Sequence, residues 1–491
     1  MKTTNKMKVK LVFCLLCLLP VCCMAAGDQT GVPPVKPHPT DWLKQAGWGV
    51  MVHYFTGAET SAEEWNKQVD AFDVPGLVRQ LESTGCRYFL IILGQNSGHF
   101  CSPNATYDRY AGIQPSKCSR RDLIKDLLTA LKPTGIKLML YLPCQTPNAD
   151  PQAQKAFGMP QGAADQPIDE AFAKKWAEVI HEWSARYGKG VVGWWFDGGY
   201  DHTRFNNSIA KIYTDAVKRG NPDAIVAFNS GVHIKRLVES ADYTAGETYD
   251  AQNLECPGRW VDGAQWHMLS FLGGDWGQGQ PRYSNDVVTE VTRNIIEYEG
   301  VATWDVPIQP SGLISEPFMK QLTAMKEALA KPRAPVVPVP PGNLAFRKRC
   351  FLLDVTGSKL LGANSGKYFA KNGNDGDPAT MARPGGEWPW TYHVDLGAIH
   401  PLNRIVIHFD KDCIATEYKV NVSADGQKWT TVAHARDATG GKPEHTFQPV
   451  RARFVRIQAL KPDGPDQKGT QMGIVELEAY APKGAGGKPN Q

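Results

Sequence analysis

The sequence lacks the motifs of several common enzyme classes. No G-x-G-x-x-G follows a predicted strand, so nothing indicates a dinucleotide site, and no G-x-S-x-G of the serine hydrolases is present. The histidines show no H-x-x-x-H spacing, which argues against a zinc hydrolase. A metal site would have to draw its ligands from distant positions, namely His53, His99, His202, His233 and His267.

Cysteine is scarce beyond the N-terminal segment. Of 11 cysteines, four lie in the first 26 residues, and the remaining seven form no C-x-x-C pair. An odd number of dispersed cysteines is typical of neither a disulfide scaffold nor a zinc module. Cys101 and Cys118 are a candidate pair in an oxidising compartment.

An excess of charge is also missing once the N-terminal segment is set aside. The formal net charge of +4 equals the four lysines of residues 1–26, which contain no acidic residue. The balanced remainder indicates neither nucleic acid nor an anionic membrane as a partner.

Residues 1–26 have the pattern of a signal peptide. A lysine-rich start precedes the short apolar run 11–21, and Ala25-Ala26 offers small residues for cleavage. The run is too short for a comfortable bilayer span, so we expect no transmembrane segment. We therefore expect an exported protein, periplasmic or secreted. An outer-membrane lipoprotein attached through Cys22 or Cys23 is the alternative, although the residues before them fit a lipobox poorly.

A proline-dense segment at 331–342 divides the chain into two parts. Its prolines exclude a helix or a central strand, and we expect a semi-rigid spacer. It separates a larger part, 40–330, from a smaller part, 343–482.

The larger part alternates apolar strands with amphipathic helices. This pattern predicts an α/β fold whose parallel sheet is covered on both faces, and seven or eight such units fit a (β/α)8-type barrel. The predicted strands are 49–54, 88–93, 137–142, 192–196, 225–228, 242–246, 266–272 and 302–306. Helical spacing runs through 77–81, 123–131, 172–183, 209–216 and 287–295.

The smaller part alternates apolar and polar residues between glycine and proline turns. This pattern predicts an antiparallel β-sandwich. The predicted strands are 392–396, 404–409, 417–423, 430–434, 453–459 and 475–479.

The most informative stretch is residues 191–200, VVGWWFDGGY. An apolar run of strand length ends in Asp197, and two glycines follow. Catalytic groups of (β/α) barrels lie at the carboxyl ends of strands. Aromatic neighbours such as Trp195 suit sugar chemistry, because their faces stack on the C–H faces of a pyranose. The alternative is that Asp197 caps a helix that begins near Thr203.

Other polar and aromatic side chains are expected at the same end of the barrel. A rim of carboxylates, histidine and tryptophan holds the groups that glycoside hydrolysis needs. One carboxylate attacks or stabilises the anomeric carbon, and a second acid protonates the leaving oxygen. The candidates are His53, Glu64, Trp65, Gln95, Asn96, Glu247, Trp266 and Asp305.

Residues 40–330 resemble the alpha-L-fucosidase family of glycoside hydrolases, which are retaining enzymes on a (β/α) barrel. Residues 48–54, WGVMVHY, are similar to the family's first strand, which ends in a sugar-binding histidine, and residues 192–198 resemble its Trp-Phe-Asp-Gly motif. The resemblance implies an exo-acting enzyme with Asp197 as the nucleophile. The implied substrate-binding residues are His53, Glu64, Trp65, Gln95, Asn96, Trp195 and Trp266.

Two departures from the family concern the sugar and the general acid. The family's second strand ends in Lys-His-His-Asp-Gly-Phe, whereas this chain has Gln95 and Asn96, which cannot carry a histidine's charge. A hydrolase of another sugar, such as an α-galactose-like one, is therefore an alternative, as is a non-catalytic carbohydrate-binding protein. The first candidate for the general acid is Glu247, with Glu255 and Glu64 as alternatives.

Residues 343–482 resemble the discoidin, or coagulation factor 5/8 C-type, β-sandwich. The similar stretches are 374–377, 392–397, 422–426 and 453–457. The resemblance implies a carbohydrate-binding module with a structural Ca²⁺, for which we predict Asp377 and Glu478 as ligands. No cofactor is expected for catalysis, and the expected partner is an oligosaccharide or glycan.

Overall fold

The computed structural model describes residues 37–145, 147–159, 167–332, 341–362, 368–385, 389–461 and 472–482. The predicted signal peptide lies outside these residues, as do residues 333–340 of the predicted linker. The chain divides after His38, and the second of the two units is Pro39–Gln491. The second unit holds every helix and strand of the described residues.

Seven parallel strands form a curled, barrel-like sheet. They are β1 (Trp48–Val52), β2 (Tyr88–Ile92), β3 (Lys137–Pro143), β4 (Val191–Asp197), β5 (Ile225–Phe228), β8 (His267–Phe271) and β9 (Val301–Asp305). Their order across the sheet is β5-β4-β3-β2-β1-β9-β8, which is the order of a barrel followed around its wall. A separate hairpin consists of β6 (Trp260–Val261) and β7 (Ala264–Gln265). The predicted barrel class is confirmed.

The segment 242–248 takes the place of the predicted sixth strand, but it is not a regular strand. Asp242 N donates to Val226 O of β5 at 2.8 Å, and Thr248 N donates to Leu269 O of β8 at 2.9 Å. The segment thus closes the gap between the two edge strands. Gly246 interrupts its extended conformation with a φ of +71°, which is why the predicted strand 242–246 is absent as such.

Ten α-helices surround the sheet. They are α1 (Asp41–Ala46), α2 (Ala62–Asp70), α3 (Val74–Thr84), α4 (Ala105–Ala111), α5 (Leu123–Leu131), α6 (Pro151–Phe157), α7 (Glu170–Tyr187), α8 (Asn207–Gly220), α9 (Asn285–Glu297) and α10 (Glu316–Leu329), counted over the described residues. The predicted helical patterns are confirmed as α3, α5, α7, α8 and α9. Side-chain oxygens of Asp73, Asp122, Asp169 and Asn206 accept backbone N–H groups at the starts of α3, α5, α7 and α8.

Asp197 does not cap a helix, so that alternative is wrong. Thr203 belongs to a single 3-10 turn, Asp201–Thr203, which has no side-chain cap. The next helix, α8, begins only at Asn207, and Asn206 provides its cap. The carboxylate of Asp197 is therefore available for another role.

Side chains of the strands alternate between two apolar cores. In β2, Tyr88, Leu90 and Ile92 point into the barrel, whereas Phe89 and Ile91 pack against the helices outside. The inner core fills the barrel below its mouth, as in other barrels of this class. This alternation decides which strand-end side chains can reach the mouth.

The remainder of the chain forms a six-stranded antiparallel sheet folded into a sandwich. Its strands are β10 (Arg349–Asp354), β11 (Trp390–Phe409), β12 (Glu417–Ser423), β13 (Thr430–Ala435), β14 (Glu444–Lys461) and β15 (Ile474–Tyr480). The predicted strands 392–396 and 404–409 are two halves of β11. Register shifts at 395–400 and 402–404 bend it, so that its first half pairs with β10 and its second half with β15. Strand β10 was not predicted.

The sandwich is docked against the barrel. The hydroxyl of Tyr298, just after α9, donates to Cys350 O of β10 at 3.0 Å. Its ring packs edge-on against Phe351 at a centroid distance of 5.7 Å, and Glu299 pairs with Arg349. Apolar packing, a buried hydrogen bond and an ion pair therefore fix this contact.

Two further observations concern cysteines and membrane spans. Cys101 and Cys118 are buried free thiols, so the candidate disulfide between them is not formed. The Sγ of Cys101 instead donates to Ile92 O of β2 at 3.6 Å. Within the described ranges, none of the helices combines the length and the apolar character needed to cross a membrane.

We expect Gly246→Ala to destabilise the protein strongly. A Cβ at this position would lie 1.8 Å from His267 O, which belongs to β8 and cannot move away cheaply. We expect a loss of at least about 3 kcal/mol in the free energy of unfolding, measured by urea denaturation. Gly135→Ala is the control, because its φ of +75° is similar but a Cβ would meet nothing within 4 Å. The control should lose only about 1–2 kcal/mol, and equal losses would contradict this account.

Candidate active site

A cavity of about 340 Å³ opens at the carboxyl ends of the parallel strands. Its lining includes members of the inner core, namely Met51, Tyr141, Trp195 and Leu269. Its lining residues are Met51, His53, Phe55, Gln95, Tyr141, Trp195, Asp197, Tyr200, Glu247, Tyr249, Leu269, Trp276 and Gln278. We call this the barrel-mouth cavity. Its size and its mixture of aromatic and polar groups are typical of a small-ligand site.

Asp197 lies on the wall of this cavity at the end of β4 and is only partly buried. Its Oδ2 accepts one hydrogen bond, from the hydroxyl of Tyr141 at 2.6 Å. Its Oδ1 accepts three, from Gly198 N at 2.9 Å, Tyr200 Oη at 3.1 Å and Asn229 Nδ2 at 2.8 Å. Four donors stabilise the ionised carboxylate, and Oδ2 remains the less occupied oxygen.

Glu247 is joined to Asp197 through one amide nitrogen. The Nδ2 of Asn229 donates to Oδ1 of Asp197 and also to Oε2 of Glu247. Two hydrogen bonds that share a nitrogen hold the two oxygens within about 6 Å of each other. Burial raises the pKa of Glu247, and the negative charge of Asp197 raises it further. The pair therefore consists of a carboxylate that accepts four hydrogen bonds from the protein beside a carboxyl group whose pKa is raised.

His53 is oriented by a buried carboxylate at the end of β9. Its Nδ1 lies 2.7 Å from Oδ1 of Asp305, a fully buried residue. The other oxygen of Asp305 accepts from Gly277 N at 2.6 Å. This arrangement favours a proton on Nδ1 and leaves Nε2 of His53 as the nitrogen available to the cavity.

Gly277 must be a glycine for this arrangement to form. Its φ is +65°, and a Cβ would lie 2.6 Å from Cβ of His53. The loop that carries Trp276 therefore passes directly over His53. The indole and imidazole rings are 5.8 Å apart.

The other predicted cavity residues have mixed outcomes. Gln95 and Trp195 line the cavity, where Gln95 Nε2 donates to Tyr141 Oη at 2.7 Å and the Trp195 indole donates to Ala245 O at 3.0 Å. Asn96 lies in a smaller polar cavity on the other side of Asp197. It is thus near the nucleophile candidate without facing the main cavity.

Glu64, Trp65 and Trp266 lie away from the cavity. Glu64 is exposed on α2, where its carboxylate and Ser61 form a capping box. Trp65 and Trp266 are buried in the outer core, and Trp65 Nε1 donates to Phe100 O at 3.0 Å. None of the three lines the barrel-mouth cavity: the capping box accounts for the position of Glu64, and core packing accounts for both tryptophans.

Glu255, the alternative acid, lies at the contact between barrel and sandwich. Its Oε1 accepts from Ala370 N at 3.1 Å, and desolvation raises its pKa to about 7. The residues around it include Tyr298, Phe369 and Lys371 rather than members of the barrel-mouth cavity. Glu247 is therefore the only one of the three candidate acids that lines the cavity.

The acidic residues of the sandwich do not assemble as predicted. Asp377 accepts from Ala379 N, whereas Glu478 pairs with His408 Nε2 at 3.0 Å and with Tyr480 Oη at 2.6 Å. In the part of the chain that the structure describes, no group of three or more His, Cys, Asp or Glu side chains is arranged to hold a metal ion. The described residues contain no ligand set for the structural Ca²⁺, so this ion remains a prediction.

Several residues of the site were not predicted, although the alternation of the strands indicates two of them. Every second side chain of a strand points into the barrel. Tyr141 follows Met139 in this alternation and Asn229 follows Ala227, just as Asp197 follows Trp195. Tyr200 and Trp276 lie on loops, where no such alternation applies. Sequence alone carries no signal that brings them to the cavity.

Family comparisons agree with this arrangement. Residues 37–331 match the family model described as alpha-L-fucosidase, and residues 372–457 match the model described as NedA-like, galactose-binding domain. No curated protein sequence matches the chain.

Solved structures similar to the chain include two of comparable length. A Bacteroides thetaiotaomicron protein assigned as an alpha-L-fucosidase is 16% identical, with a TM-score of 0.47 over 91% of this chain and 97% of that one. A Ruminococcus gnavus family 29 fucosidase in complex with fucose is 13% identical, with a TM-score of 0.42 over 90% and 94%. A chitosan-binding module from a Paenibacillus chitosanase/glucanase, in complex with chitotriose, is 24% identical, with a TM-score of 0.25 over 28% and 100%.

We expect Asp197→Asn to lower the pKa of Glu247. The substitution removes the neighbouring negative charge, while burial still keeps the pKa above that of a free glutamate. The measurement is a side-chain carboxyl titration by NMR on ¹³C-glutamate-labelled protein. Asp201→Asn is the control, because it removes one charge from a side chain that is 93% exposed. An unchanged titration in Asp197→Asn would show that the two carboxyl groups are not coupled.

Proposed function

This chain belongs to the alpha-L-fucosidase family, and we propose that it is an exo-acting, retaining glycosidase that removes a terminal fucose from glycans. The single observation that carries this proposal is the pair formed by Asp197 and Glu247 on the wall of the barrel-mouth cavity. The two groups differ in the way that a nucleophile and a general acid must differ.

The spacing of the two carboxyl groups supports retention. Retaining glycosidases hold their carboxyl groups about 5–5.5 Å apart, whereas inverting enzymes need about 6.5–9.5 Å to admit a water molecule. The bridging amide of Asn229 keeps Oδ1 of Asp197 and Oε2 of Glu247 within about 6 Å of each other, which is nearer to the spacing of retaining enzymes than to that of inverting ones.

In the first step, Oδ2 of Asp197 attacks the anomeric carbon and the glycosidic C–O bond breaks. Glu247 gives its proton to the departing oxygen, which leaves as an alcohol. In the second step, Glu247 takes a proton from water, and that oxygen replaces Asp197 at the anomeric carbon. The carboxylate of Asp197 and the proton on Glu247 are then restored.

The shape and polarity of the cavity support a terminal deoxy sugar. A cavity of about 340 Å³, backed by inner-core residues, suits a single terminal sugar and therefore exo action. Met51, Trp195 and Leu269 offer apolar surface that suits the methyl group of fucose better than a hydroxymethyl group. Gln95 and His53 provide hydrogen-bonding groups for the ring hydroxyls.

We also propose that the sandwich binds glycan and that the protein is exported. The match of residues 372–457 to a galactose-binding model supports the first proposal. The signal-like pattern of residues 1–26 supports the second.

We expect the protein to hydrolyse aryl α-L-fucosides about 100-fold faster, in kcat/KM, than aryl α-L-galactosides, because an apolar pocket rejects an added hydroxyl by about that factor. Asp197→Asn should reduce kcat by at least about 10³-fold without changing the thermal unfolding midpoint. NMR of the first-formed product should show the anomer of the substrate. Faster cleavage of galactosides would indicate that the terminal sugar of the substrate is galactose and not fucose. If the wild type cleaved neither substrate, a non-catalytic binding protein would be favoured.

We expect Glu247→Gln to reduce kcat/KM about 10²-fold or more for a fucosylated sugar and much less for a dinitrophenyl fucoside. The second substrate has a leaving group that needs no proton. The fall of wild-type activity at high pH, where Glu247 loses its proton, should disappear in the variant. Glu64→Gln is the control, because the capping box accepts glutamine. Equal losses in both variants would exclude Glu247 as the acid.

A further inference from the structure

Two large apolar side chains are exposed at the entrance of the barrel-mouth cavity. Phe55 is 45% exposed and Tyr249 is 51% exposed, and both belong to the cavity lining. Elsewhere in the described residues, the large apolar side chains with comparable exposure are Val232, Trp260, Leu360 and Ile399, none of which lines the cavity. Exposed aromatic surface continuous with a sugar pocket is available to a second sugar.

Tyr249 is fixed in place although it is exposed. Its ring contacts Phe271 at a centroid distance of 5.6 Å and Trp276 at 6.1 Å. Its carbonyl oxygen accepts from Arg282 Nη1 at 2.8 Å, and the same guanidinium lies over the Phe271 ring at 3.7 Å. An ordered ring loses little conformational entropy when a ligand stacks on it.

The position of Tyr249 relative to Glu247 indicates what it contacts. The two residues are separated by one, and Thr248 N between them donates to Leu269 O of β8. Both residues line the barrel-mouth cavity, where Glu247 is partly buried and Tyr249 is exposed. Tyr249 therefore follows Glu247 toward solvent on the same wall. A leaving group whose oxygen meets Glu247 extends in that direction.

We propose that Tyr249, supported by Trp276, stacks against the first sugar ring of the leaving group. This inference rests on the proposed function, since it takes Glu247 as the group that protonates the leaving oxygen. It assigns the substrate class: an oligosaccharide whose terminal fucose is joined to a pyranose, rather than a fucoside of a small alcohol. The contact is between an aromatic face and the C–H face of a sugar, which needs no charged partner.

The test compares a substrate that carries this sugar with one that does not. Fucosyl-lactose has a pyranose leaving group, whereas α-L-fucosyl fluoride loses only fluoride. Tyr249→Ala should lower kcat/KM for fucosyl-lactose about tenfold more than for the fluoride, as expected for the loss of one aromatic contact. Tyr249→Phe keeps the ring and should restore the wild-type ratio. Trp260→Ala, an exposed aromatic outside the cavity, should leave the ratio unchanged.

A binding measurement keeps the inference testable if no fucoside is cleaved. Followed by NMR through the indole N–H resonance of Trp276, which lines the cavity, lactose alone should bind the wild-type protein about tenfold more tightly than Tyr249→Ala, whereas lactose bound to the sandwich leaves this resonance unchanged. Failure of the wild type to cleave either substrate would overturn the proposed function but not this binding result. Equal lactose binding by both proteins, or an equal loss on both substrates, would overturn the role of Tyr249.

Discussion

A single amide nitrogen, Nδ2 of Asn229, determines how two carboxyl groups share one cavity. Two like charges this close repel each other, and partial burial strengthens the repulsion. Burial and this repulsion raise the pKa of Glu247. Asp197 accepts four hydrogen bonds, whereas Glu247 has the one from Asn229. The proposed division of roles between nucleophile and acid rests on this asymmetry.

Much of the fold could be predicted from the sequence because its periodicity is strong. The apolar strands and the amphipathic helices α3, α5, α7, α8 and α9 have spacings that match their burial. The failures have local causes. Gly246 breaks the sixth strand through its backbone conformation, and β10 alternates too weakly to be recognised before its partner β11 is known.

The site could be predicted where a charged or polar residue ends an apolar run. Asp197, Glu247 and His53 are of this kind, and all three line the cavity. Tyr141 carries no such signal, because it lies within the apolar strand β3, whereas Asn229 does end the apolar run of β5 and was missed. The Glu64-Trp65 pair was singled out by its similarity to a family motif. The S-x-x-E capping box at Ser61 is sufficient to explain Glu64, and core packing is sufficient to explain Trp65.

The loop over His53 gives the rim and the floor of the site a common support. Gly277 N holds Asp305, which orients His53, while the neighbouring Trp276 packs against Tyr249 at the entrance. A change in the length of this loop would alter the proposed contact with the outer sugar and would also disturb His53, which is proposed to contact the inner one. Divergence of specificity in this lineage should therefore proceed by exchange of rim side chains such as Tyr249 on a loop of constant length.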